Sequence, residues 1–165
     1  MRILALVWAL VAVAQARPPA FEIVLDGGGF TNERFVMKPI AATYANNYWQ
    51  SKSDPRATRL VLASDYGHDG TELQISVPAT GGVFTKDDED RPDRNPYLRI
   101  DLRVLRAGSQ MQMEIDRVEV VITRLDPPGG RIEGTLQGTV RAPGNKTVRI
   151  TGSFSVVRIK DRVID

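Results

Sequence analysis

The stretch that decides the fold runs Ile132-Glu-Gly-Thr-Leu-Gln-Gly-Thr-Val140, through Ala142-Pro-Gly-Asn145, to Val148-Arg-Ile-Thr-Gly-Ser-Phe-Ser-Val156. Successive side chains of a strand point to opposite faces, so strict alternation of apolar and polar residues marks a half-buried strand. Ile132, Gly134, Leu136, Gly138 and Val140 share one face, and Glu133, Thr135, Gln137 and Thr139 the other. Beyond the turn the pattern resumes with Val148, Ile150, Gly152, Phe154 and Val156 inward and Thr147, Arg149, Thr151, Ser153 and Ser155 outward. Proline, glycine and asparagine between them supply turn dihedrals, so the stretch reads as a long β-hairpin. Glycines on its apolar face imply close approach of another backbone, a bulky side chain, or sharp local twist.

Working outward, Leu98, Ile100, Leu102 and Val104 alternate with Arg99, Asp101 and Arg103, and Leu73, Ile75 and Val77 alternate with Glu72, Gln74 and Ser76. Phe21, Ile23 and Leu25 make a shorter strand. Just before the hairpin the phase slips: Met111, Met113 and Ile115 are apolar at odd positions, Val118, Val120 and Ile122 at even ones. One residue of slip turns every side chain over, so Asp116-Arg117 is expected to hold a bulge or a change of sheet. The strand 118–125 stops at Asp126-Pro-Pro-Gly-Gly130. Residues 38–52 fit neither period, leaving a helical turn and an irregular strand both open, and no stretch has the pattern of a substantial helix. Strands at roughly ten-residue spacing predict an all-β fold, an antiparallel β-sandwich or alternatively a β-barrel, in a single domain over 17–165.

Residues 1–16 combine Arg2, an apolar run from Ile3 to Ala14 and small residues at Ala14 and Ala16. That is the three-part pattern of a secretory signal peptide, and the run is short of the ~20 residues that a membrane span needs. The expected location is therefore periplasmic or extracellular, with no stable membrane insertion once the signal is removed. The 165 residues contain no cysteine, so neither a disulfide framework nor a cysteine-linked lipid is possible within them. The 22 Lys and Arg nearly balance 20 Asp and Glu, and the arginines are scattered singly. A nucleic-acid binder concentrates its basic residues, so the composition argues against nucleic acid as a partner.

Val118 to Val140 followed by Val148 to Val156 resembles the closing segment of a group of uncharacterised bacterial exported β-sandwich proteins. In these a Gly-Gly turn precedes an Ile-Glu-Gly-Thr strand, and the last strand carries Gly-x-Phe. Val77-Pro-Ala-Thr-Gly-Gly-Val-Phe84 resembles their mid-domain loop. The resemblance implies the sandwich fold and a bacterial origin, and brings no catalytic residue with it.

The chemistry open to the chain is narrow. His68 is the only histidine, in Asp65-Tyr-Gly-His-Asp-Gly70, and no Gly-x-Ser-x-Gly elbow exists to meet it. Zinc draws on cysteine and histidine and is poorly served. Calcium takes oxygen ligands. Residues 65–76 fail the calcium-loop pattern, with Gly67 where an oxygen side chain is required and Ser76 where a bidentate Glu is required. The acidic run Asp87-Asp88-Glu89-Asp90, followed by Asp93 and Asn95, is the remaining calcium candidate, through Asp87, Asp88, Asp90 and Asp93. A solvated loop balanced by Lys86, Arg91 and Arg94 is the plainer account of the same residues. Asp101, Glu114, Glu119 and Glu133 lie on polar strand faces, where a glycosidase pair or cross-strand partners of arginines would both fit. Tyr44, Tyr48 and Trp49 fit either core packing or an aromatic platform.

The leading expectation is an exported non-enzymatic β-sandwich, a binding or cell-envelope accessory module without a cofactor, whose partner is a protein or a glycan. The alternatives are a calcium- or carbohydrate-dependent surface binder and a small carboxylate-pair hydrolase.

Overall fold

The computed structural model describes residues 20–40, 47–51, 58–64, 71–79, 81–87 and 99–164. They form β1 (Ala20–Gly27), β2 (Phe30–Met37), β3 (Asn47–Ser51), β4 (Thr58–Ala63), β5 (Glu72–Pro78), β6 (Gly82–Asp87), β7 (Arg99–Arg106), β8 (Ser109–Leu125), β9 (Arg131–Ala142), β10 (Lys146–Val157) and β11 (Arg162–Ile164). The described residues include no helix. Of the region 38–52, residues 47–51 form a strand and 41–46 lie outside the described residues.

The hairpin β9–β10 pairs without a register break from Arg131↔Val157 to Lys146↔Ala142. Its alternation is observed as expected: Ile132, Leu136, Val140, Val148, Ile150, Phe154 and Val156 are buried. The turn uses positive φ at Gly144 (81°) and Asn145 (58°), the two residue types that adopt it at least cost. The β8–β9 turn Asp126–Gly130 is tied to the chain leaving β10, since Arg158 N–H donates to Gly130 C=O and Gly129 N–H to Arg158 C=O. The Arg158 guanidinium adds a bond to the Asp126 carbonyl (2.8 Å) and a bidentate pair with Asp161.

The phase slip in β8 is the joint of the molecule. Its register against β9 shifts between Ile115 and Arg117, so Asp116 is the extra residue of a β-bulge. β8 pairs with β9 from Glu114 to Leu125, while its other pairing changes partner, from β7 at Ser109–Met113 to β6 at Arg117–Ile122. Because of the bulge, Met113 before it and Val118, Val120 and Ile122 after it all reach the core. A second shift lies between Ile122 and Arg124. Both bulges face glycines. The Arg117 carbonyl and the Val118 α-carbon crowd the place where a Gly138 side chain would stand, and Gly138 has φ +155°. Gly134 lies beneath the Phe154 ring and against the Val121 carbonyl.

The sheet order is β11-β3-β4-β5-β7-β8-β9-β10-β1-β2, with β6 added on β8. All pairs are antiparallel except β11 with β3. Strands β10 and β11 are seven places apart in this order, about 34 Å in a flat sheet at ~4.8 Å per strand. The link Arg158–Asp161 reaches only about 17 Å even when extended. The sheet must therefore curl. Beyond β2 the chain likewise crosses to β4, where Ile40 N–H donates to Ala63 C=O (3.0 Å) and Pro39 bridges Ser64. The result is one curled, half-barrel antiparallel sheet, of the all-β antiparallel class expected from alternation.

The two halves of the curl share one core, from Phe21, Ile23 and Leu25 of β1 to Leu73, Ile75 and Val77 of β5 and Ile100, Leu102 and Val104 of β7. At one end, the Arg106 guanidinium lies 4.6 Å from the centre of the Phe30 ring and 3.6 Å from Glu33, so the β7–β8 turn is docked on the glycine-rich β1–β2 turn.

Candidate functional site

Register places the outward side chains of β8, β9, β10, β1 and β2 in rows that cross the strands. One row runs Arg117–Thr139–Arg149–Asp26, and the next Glu119–Gln137–Thr151–Val24–Arg34. These residues face solvent because their neighbours along each strand are committed to the core. A shallow, open depression of about 450 Å³ lies over the first three strands, lined by Arg117, Glu119, Gln137, Thr139, Arg149 and Thr151. A second, of about 350 Å³, continues from Arg149 and Thr151 onto Val24, Asp26 and Asn32. Together they span five strands, about 19 Å across the sheet at ~4.8 Å per strand. Short side chains at Thr139, Thr151 and Val24 form the floor between longer ones.

Most charges on this face are bound to neighbours. Gln137 Nε2 donates to Glu119 Oε1 (3.0 Å), the Thr139 hydroxyl to Asp116 Oδ2 (2.8 Å), and Arg149 Nη2 to Asp26 Oδ2 (3.1 Å). Arg34 pairs with Glu22 (2.9 Å), which holds its guanidinium above the usual arginine value, first through the hydrogen bond and then through the charge. Arg117 differs. Among the described side chains it is the one arginine with no hydrogen bond, ion pair or ring contact, and it is exposed.

The carboxylates singled out in the sequence are on polar strand faces as expected, but they do not converge. Asp101 pairs with Arg99 on β7 (2.6 Å), in the other half of the sheet. Glu114 stands opposite Arg141. Glu119 and Glu133 are roughly 14 Å apart at their α-carbons by strand spacing. Each is held on its own row, Glu119 by Gln137 and Glu133 by the Ser155 hydroxyl (3.2 Å) and Arg124 (3.9 Å). Near Glu133, Asp126 accepts from Arg124 and from the Arg131 N–H, which together hold its carboxyl below the ordinary value of 3.8.

Of the calcium candidates, Asp87 closes β6 with its backbone opposite Arg117, and Asp88, Asp90 and Asp93 lie outside the described residues. His68 and Tyr44 also lie outside them, and the side chains of Tyr48 and Trp49 are not described. Among the described residues, no group of three or more His, Asp or Glu is placed to hold a metal ion.

Sequence reasoning marked Arg117 as part of a bulge, and Thr139, Arg149 and Thr151 as outward, without joining them into a site. The signal that joins them is the bulge opposite Gly138, which sets the three strands' register at that row. Comparison with known proteins finds no family model, no curated protein and no solved structure that matches the chain.

Proposed function

We propose that this chain is an exported, non-enzymatic binding or cell-envelope accessory module whose partner, a glycan or a protein, meets the outer face of β8, β9, β10 and β1. Export rests on residues 1–16, with release after Ala16. The resemblance of the closing strands to bacterial exported β-sandwich proteins supports the same class of role and a bacterial source. The observation that carries the binding reading is Arg117, an exposed guanidinium bonded to none of the described side chains, at the rim of a shallow polar depression. Open, shallow surfaces suit extended ligands, whereas small-molecule chemistry is usually housed in enclosed pockets.

Two measurements test this. Mass spectrometry of the protein recovered outside the cytoplasm should find an N-terminus at Arg17, and a retained Met1 would refute export by this route. The purified protein should co-sediment with isolated envelope material and release no reducing ends from its glycans. Release of sugar that Glu119→Gln or Glu133→Gln abolishes would replace the binding module with a hydrolase.

A further inference from the structure

We infer that the depression takes a neutral, extended glycan lying across the strands, a conclusion that rests on the binding-face reading above. Arg117, Thr139 and Thr151 would be its principal contacts. The argument is one of inventory. The two linked depressions present the guanidiniums of Arg117 and Arg149 beside the carboxylates of Glu119, Asp26 and Asp116, the last reached through the Thr139 hydroxyl. A polyanion would meet more carboxylates than guanidiniums. An apolar ligand would take all five charges out of water, and among the described side chains only Arg149 and Asp26 form an ion pair with each other, so the desolvation of the rest would go uncompensated. A chain of hydroxyls can donate to the carboxylates and accept from the guanidiniums, matching both signs at once.

The charges are also unequal in their freedom. Arg149 is engaged by Asp26 and Glu119 by Gln137, whereas Arg117 bonds to none of the described side chains, which leaves its donors the most available on this face. A guanidinium is planar and offers its donors in a fixed fork, which suits two adjacent hydroxyls better than an ammonium would. The rows run across the strands for about 19 Å over shallow, open depressions, so a polymer fits where a monosaccharide would leave most of the row in water.

The test is calorimetry on the whole purified protein with neutral hexasaccharides of glucose, mannose, xylose or N-acetylglucosamine. Hexagalacturonate serves as the charged probe and glucose as the monomer. At least one neutral hexasaccharide should bind, and glucose should not. Arg117→Ala should weaken binding about tenfold or more, as loss of a charged hydrogen-bond donor does. Thr139→Val should weaken it less, Arg117→Lys should restore part of the loss, and Arg99→Ala, in the other half of the sheet, should change nothing. Raising salt should leave the affinity nearly constant, because no net charge is exchanged. Preference for hexagalacturonate with steep salt dependence would overturn the neutral-ligand inference while keeping the binding face. Neutral binding that ignores both Arg117→Ala and Thr139→Val would overturn the site. Failure of every hexasaccharide would overturn the glycan, and co-sedimentation with envelope material would then still judge the broader proposal on its own.

Discussion

Gly138→Ala offers the sharpest test of the curled sheet, because its cost can be worked out from two separable causes. The first is backbone: Gly138 has φ +155°, a region essentially reserved for glycine, and holding an L-residue there costs about 1–3 kcal/mol. The second is space. A side-chain carbon at this position would stand 2.8 Å from the Val118 α-carbon and closer still to the Arg117 carbonyl oxygen. Both neighbours are backbone at the Asp116 bulge, so relief requires moving β8 against β9, and overpacking of this kind costs about another 1–3 kcal/mol. The expected loss is about 2–6 kcal/mol, a large part of the 5–15 kcal/mol that holds typical domains. Gly82→Ala separates the two causes, since Gly82 has φ +137° and nothing within 4 Å of the added carbon. It should lose the backbone part alone. The assay is urea unfolding followed by circular dichroism, with equal m-values for both variants confirming that only the native state has changed. If Gly138→Ala is no more destabilising than Gly82→Ala, the crowding at the bulge is not real, and with it falls the account of how β8 changes partner.

Other outcomes follow from single contacts. Ala107 has φ +50° in the two-residue β7–β8 turn Ala107-Gly108, where asparagine is favoured, so Ala107→Asn should raise stability by about 0.5–1 kcal/mol in thermal melts; a loss would show that the turn is not of the hairpin-favoured type. Phe154 is 3 % exposed, packs on Phe21 at 6.1 Å between ring centres and covers Gly134, so Phe154→Ala should cost about 3–5 kcal/mol in urea titration, and a loss under 1 kcal/mol would place the ring elsewhere. The folded carboxyl of Asp126 titrates below its unfolded value of 3.8, so its contribution is present above that value and fades as pH falls through the folded one. The stability difference between the parent and Asp126→Asn should therefore shrink on acidification below about pH 4, and a difference that grows on acidification would reverse the sign argued here. Deleting Asp116 should turn Met111, Met113 and Ile115 away from the core and leave little cooperative unfolding, whereas a stable deletion variant would show that the bulge is dispensable.

Much of the fold was legible because a strand writes its two faces into alternate residues. The inward sets of β1, β9 and β10, Leu73, Ile75 and Val77 of β5, and Ile100, Leu102 and Val104 of β7 are those read from the chain, as is the bulge at Asp116; Leu98 lies outside the described residues, and Ser76, read as outward, is buried. Where alternation breaks for tertiary reasons, it was silent. In β2, Asn32 at φ +47° shifts Phe35 and Met37 out of phase with Phe30, and Leu60 to Ala63 of β4 are buried on both faces, so neither segment shows a clean period. The pairing of β6 with β8 could not be read either, since β6 is followed in the chain by β7 and yet joins β8 beyond the bulge.

Composition and local pattern alone thus determined the all-β class, the hairpin, the direction of each side chain along most strands and the absence of disulfides, all of which depend on neighbours in the chain. Only the tertiary structure decided the sheet order, the curl forced by the short Arg158–Asp161 link, and the assembly of Arg117, Thr139 and Arg149 into one row. Those depend on register between strands distant in sequence, which is set by the bulge, the glycines that admit it, and the burial that all the strands share.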